Sequence, residues 1–331
     1  MRYAIIDCYR LIAAYAVLFY HYAYRGERIG LVPEVDYGPL EVWARYGYLG
    51  VPLFFMISGY VISITMQGRS TSEFLKARVI RLFPIFWVCC LLTYLLTSWL
   101  GTDYATKTLL LNLTMLPEKF GAPLIDGVYW SLAVELYFYA MVAVLILLAG
   151  DKAARWLDVV VAIGLLSVAL KLLGGGFGFP IRGHFPLFAV GILLYRYHQT
   201  GGWGYLVGSF IALFLATALG LDLAEKLSRT YAEPFNPLVI CGLYVAMYIM
   251  MFCIKQARFG KRASSLLLIG GGLTYPLYLL HAKIGYGLFL HYGSGWAHLV
   301  TMVFVMTLVA GLLFQFVDVP MRRYLASKLR S

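Results

Sequence analysis

Residues 5–24 read IIDCYRLIAAYAVLFYHYAY. Twenty residues in a helix rising ~1.5 Å each span the ~30 Å hydrocarbon core of a bilayer. Apart from Asp7, Arg10 and His21 the stretch is apolar or aromatic. Asp7 and Arg10 break what would be the apolar core of a cleavable leader, so it reads as a retained membrane helix.

The same pattern recurs outward from it, near 48–66, 79–100, 129–149, 157–173, 184–197, 203–221, 235–254, 264–282 and 297–317. These spans predict an all-α, polytopic membrane helix bundle of about ten transmembrane helices. The weakest is 184–197, short and carrying Pro186, while 105–116 has the length of an interfacial or re-entrant piece. With 61% hydrophobic and 13% charged residues and a mean hydropathy of +0.78, the composition excludes an ordinary soluble domain. No linker, low-complexity tract or internal repeat divides the chain, so residues 1–331 are expected to form a single membrane domain with no fused extracytoplasmic domain.

An even number of spans puts both termini on one side. If that side is the cytoplasm, the inner loops and tails carry sixteen basic residues and the longer outer loops ten, the bias expected of a chain with both ends inside. The net charge of +11 is then a topology signal, and no nucleic-acid partner is expected. The five cysteines fall in or at the ends of spans without metal or disulfide spacing, and no metal is predicted.

Ionisable groups inside a span cost ~2.5–3.5 kcal/mol each at the bilayer centre, so each needs a reason. Arg10 and His21 are eleven residues apart, about 20° around a helix and roughly 16 Å along it. They share a face at different depths, with Asp7 placed to pair with Arg10. A snorkelling arginine and an interfacial histidine beside Tyr20, Tyr22 and Tyr24 would also fit. Glu135 in the fourth span and His281 in the ninth reach a depth similar to His21, and a carboxylate that orients an imidazole makes a general base. Arg78 and Arg81 open the third span; they suit either positive-inside anchors or a fork for phosphate oxygens.

These residues fall into five ordered elements. Asp7, Arg10 and His21 form the first, Gly50 to Tyr60 (GVPLFFMISGY) the second, and Arg78, Arg81, Leu82, Pro84 and Trp87 the third. Trp130, Ser131, Leu132, Glu135, Phe138 and Tyr139 form the fourth, and Tyr275, Leu277, Tyr278, Leu279, Leu280 and His281 the fifth. Together they resemble the acyltransferase-3 family of bacterial membrane O-acyltransferases, over residue 5 to about 320. Pro52 departs from the aspartate that many members carry.

The resemblance implies a multi-pass protein of the bacterial inner membrane, with membrane lipids around it. It would move an acyl group, usually acetyl, from cytoplasmic acetyl-CoA or another acyl-CoA to a hydroxyl of an extracytoplasmic glycan or glycolipid. In that reading Arg10, Arg78 and Arg81 hold the donor's phosphates. His21, Glu135 and Arg10 carry the catalysis, His21 as base or as transient acyl carrier, and His281, Ser131 and Trp130 meet the acceptor. A proton-coupled transporter or flippase for a glycan-related substrate is the alternative that buried Arg, Glu and His would also serve.

Overall fold

In a computed structural model, residues 4–256 and 259–328 are described; they form helices and turns, with no strand among them. Arg2, Arg258 and Arg330 of the basic-residue count lie outside these residues. Ten main helices follow one another: α1 (Ala4–Tyr20), α2 (Gly50–Thr65), α3 (Thr71–Trp99), α4 (Trp130–Ala149) and α5 (Ala153–Leu172), then α6 (Phe185–Thr200), α7 (Trp203–Tyr231), α8 (Pro237–Phe252), α9 (Lys261–Tyr292) and α10 (Trp296–Leu313).

Each of the ten expected spans falls on one of them. By length and apolarity eight helical stretches are able to cross a membrane. One of these, Gly127–Leu172, contains both α4 and α5, joined by a three-residue turn, and α6 is shorter, at 16 residues. Pro186 does not interrupt α6 because it stands in the first turn, where its missing N–H has no helical partner to lose. Segment 105–116 holds only a seven-residue helix, Thr106–Asn112. The connection between the first two spans is more ordered than expected: Pro39–Ala44 is helical and runs through a 3-10 turn, Arg45–Leu49, into α2.

The helices gather into two compact units whose segments alternate along the chain: residues 1–50, 77–133 and 259–331, and residues 51–76 and 134–258. In the first unit α1 and α9 run parallel, since Asp7 lies against Gly271, His21 against His281 and Tyr22 against Gly285. A Cβ at Gly271 would sit 2.4 Å from Asp7 and one at Gly285 2.4 Å from the Tyr22 ring, so glycine is what lets the helices approach. Residues 126–131 descend antiparallel beside α9, Asp126 meeting Lys283 and Ser131 meeting Tyr278. Helices α9 and α10 pack as a pair, and Phe314, just past α10, covers Gly272.

In the second unit α6 packs along α5 and α7, and α7 along α8. Helices α2 and α6 cross at backbone contact: a Cβ on Gly191 would lie 2.0 Å from the Met56 carbonyl oxygen.

Candidate active site

Helix α1 changes character at His21. The five residues His21–Arg25 form a π-helix, the wider i→i+5 turn that tends to occur at functional sites. His21 is 8% exposed and His281 fully buried, and their rings meet edge to face with centroids 4.8 Å apart.

The hydrogen bonds assign the protons. His21 Nδ1 lies 2.7 Å from the Val17 carbonyl oxygen. A carbonyl only accepts, so this nitrogen carries the hydrogen. His281 Nδ1 lies 2.9 Å from the Tyr278 carbonyl oxygen and 3.2 Å from that of Leu277, and it too is the N–H. His281 Nε2 therefore presents a lone pair, 3.3 Å from His21 Nδ1. One consistent arrangement results: His21 donates from Nδ1 and keeps the lone pair on Nε2, and His281 receives.

His281 is held by residues from other elements. The Tyr22 hydroxyl donates to the His281 carbonyl at 2.8 Å. Tyr129 donates to the Leu279 carbonyl at 3.2 Å, while the Lys283 N–H donates to Asp126 at 2.8 Å. Both groups of the 283→279 helical bond thus have outside partners. Tyr278 donates to the Val128 carbonyl at 3.1 Å and lies 2.7 Å from Ser131 Oγ.

Asp126, just outside the fourth span, also accepts the Val128 N–H at 3.1 Å and caps the turn leading into α4. Burial pushes its carboxyl up to about 6, against the opposing pull of those two N–H groups, Lys283 and Arg25.

The arginines expected to hold the donor, Arg10, Arg78 and Arg81, occupy the other end of the first unit. Arg10 pairs with Asp7 at 3.3 Å. Arg78 is buried and Arg81 half-buried. Tyr275 of α9 donates to the Leu82 carbonyl at 3.3 Å, next to Arg81 in sequence, and Arg81 acts electrostatically on the buried Asp318, which is ion-paired with Arg322. Asp318 closes a second π-helix, Phe314–Asp318. In the second unit Glu135 accepts hydrogen bonds from Ser58 at 3.1 Å and from Tyr139, so the carboxylate links α4 to α2.

The sequence profile of the acyltransferase domain matches residues 3–315, nearly the whole chain. The chain belongs to the acyltransferase-3 family. A curated relative described as an O-acetyl transferase, from Shigella phage Sf6, is 25% identical over 266 residues, covering 71% of this chain and 76% of the relative. No solved structure matches. With its membrane-spanning helices the protein is a multi-pass acyltransferase.

Of the site residues expected from the sequence of this acyltransferase, His21 and His281 come into direct contact, and Ser131 stands one tyrosine away from them. The Ser131 hydroxyl is buried against Val128 and Tyr278, whereas the Trp130 side chain is partly exposed. Arg10 lies with Asp7 at the opposite end of α1 from His21. Asp126, Tyr22, Tyr129 and Asp318 lie outside the site residues expected from the sequence. Asp126 and Asp318 carried a signal, as carboxylates bordering apolar runs. The two tyrosines carried none among 26 tyrosines.

Proposed function

We propose that this protein is an O-acetyltransferase that moves an acetyl group from acetyl-CoA, bound at the cytoplasmic face, to a hydroxyl of an extracytoplasmic glycan or glycolipid. The His21–His281 pair carries the reading. A lone pair on His21 Nε2 with the opposite N–H anchored is what a general base requires.

His21 takes the proton of the acceptor hydroxyl at Nε2 as the hydroxyl oxygen attacks the thioester carbon. It then returns that proton to the thiolate as the carbon–sulfur bond breaks. While His21 is an imidazolium, the Val17 carbonyl and the His281 lone pair both accept from its Nδ1–H and steady the charge. Arg78, Arg81 and Arg10 supply guanidinium groups for the donor's phosphates from the end opposite the histidine pair. Glu135, which the resemblance counts among the catalytic residues, is tied to Ser58 and Tyr139 within the second unit. Two features support transfer over transport: the acyltransferase profile running through both units, and the relative whose name states O-acetyl transfer.

The test is acetyl transfer in cells and in vesicles. His21→Ala, inserted at parental levels, is expected to lose about 10²- to 10⁴-fold in transfer rate, the usual contribution of a general base. Mass spectrometry of surface glycans should then lack an acetyl-sized increment that parent cells carry. Full retention of transfer in His21→Ala overturns the assignment.

A further inference from the structure

Within the second unit a cavity of about 730 Å³ lies among α5, α6 and α7. Nearly all of its lining is hydrocarbon, and on its open side stand Leu166, Ile211 and Phe214, each at least half exposed. Glycines keep it open. A Cβ on Gly204 would meet nothing within 4 Å, and one on Gly208 only the Leu193 methyls at 3.4 and 3.7 Å.

One end is polar. Asp158 accepts from Arg196 Nε at 3.0 Å and Nη2 at 2.7 Å, and from the Tyr205 hydroxyl at 3.1 Å. Arg196 Nη2 also donates to the Ala154 carbonyl at 2.9 Å. The guanidinium is thus held by three bonds through two of its nitrogens. Nη1 makes no hydrogen bond among the described residues and keeps two N–H groups in a fixed direction. Exposed Lys152, Arg155, Trp156 and Trp203 surround this end in sequence, the cationic and aromatic composition of a membrane interface. From Tyr205 to Leu215 the cavity follows ten residues of α7, ~15 Å, or half the hydrocarbon thickness of a bilayer.

We propose that this cavity holds one acyl chain of a phospholipid whose phosphate is taken by Arg196 Nη1. The depth fits a single leaflet, the opening faces the medium in which such chains are the solvent, and the cation stands at headgroup level. The polar end is where α5 starts and α6 ends, which the positive-inside count assigns to the cytoplasmic leaflet. The site is therefore distinct from that of an acceptor taken from the other side.

The experiment uses the full chain in phosphatidylglycerol–phosphatidylcholine vesicles containing a trace of phospholipid with a photoactivatable acyl chain, followed by peptide mapping and by native mass spectrometry of the released protein. Adducts are expected to concentrate on Leu166, Ile211 and Phe214, with one phospholipid retained per chain. Gly208→Phe, which fills the cavity, should lose those adducts. Arg196→Gln should lose the retained lipid. Adducts spread evenly onto exposed residues elsewhere, such as Phe304 and Leu308 of α10, overturn the proposal, as does an undiminished yield in folded Gly208→Phe. If either variant fails to insert, the adduct map of the unaltered protein decides by the same criterion.

Discussion

His281 offers His21 one lone pair, and its removal tests that contact separately from the base itself. A hydrogen bond to a charged partner is worth ~1.5–3 kcal/mol, which corresponds to roughly 10- to 100-fold in rate. His281→Leu should lower kcat by about that factor and leave the KM for acetyl-CoA unchanged, in a titration of initial rates against donor. Asp126 predicts a pH effect. Its folded-state value of about 6 lies above the usual 3.8, so the native state binds the extra proton. The associated stability is complete below about pH 4 and is lost as the pH rises through 6. Asp126→Asn keeps an acceptor for the Val128 N–H and removes the charge. The parent's apparent Tm should fall between pH 4 and 7 in detergent, and that of Asp126→Asn should stay flatter. At this scale the sequence exposed the costly groups and put His21 and His281 at a similar depth. It could not expose that His21 and His281 touch, because contact between residues 260 apart depends on how two helices pack. The orienting partner expected from sequence was Glu135, yet the lone pair that meets His21 Nδ1 belongs to His281.

Among the elements, α1 and α9 matter most, because their parallel packing sets the histidine pair. Gly285→Ala pushes a methyl into the Tyr22 ring, whose hydroxyl holds the His281 carbonyl. Overpacking of this kind costs ~1–3 kcal/mol, and both apparent Tm and transfer rate should drop. Gly311→Ala in α10 is the control: nothing lies within 4 Å of that position, and the better helix former should leave stability equal or higher. The helices themselves were legible from hydropathy and length alone. The π-turn at His21–Arg25 was not, since a period near 100° per residue describes an α-helix and carries no mark of where one extra residue enters the turn. Helical order in 39–47 was not legible for a different reason: Glu41, Arg45 and Gly47 give that stretch a loop's composition.

For the whole molecule, orientation rests on the basic-residue count. In a variant stripped of native cysteines, a single cysteine at Asp36→Cys should react with a membrane-impermeant maleimide in intact cells, and one at Asp151→Cys only after permeabilisation. The reverse pattern would place the arginine end outside and remove the donor route. The alternation of two units along the chain had no counterpart in the sequence, because neither a linker nor a change of composition marks residues 50, 76, 133 or 258.

The histidine pair joins two helices that leave the ribosome far apart in time. At the ~5–20 residues per second of synthesis, the 260 residues between His21 and His281 take roughly 13 to 52 s. For that interval His21 has only the Val17 carbonyl of its own helix as a hydrogen-bond partner, and acetyl transfer should be absent until nearly the last of these helices inserts. A chain that stops before α9 should accumulate as a membrane-inserted product with no transfer activity. Co-expressing residues 259–331 as a separate segment is then the way to ask whether the late helices can find α1 after the fact.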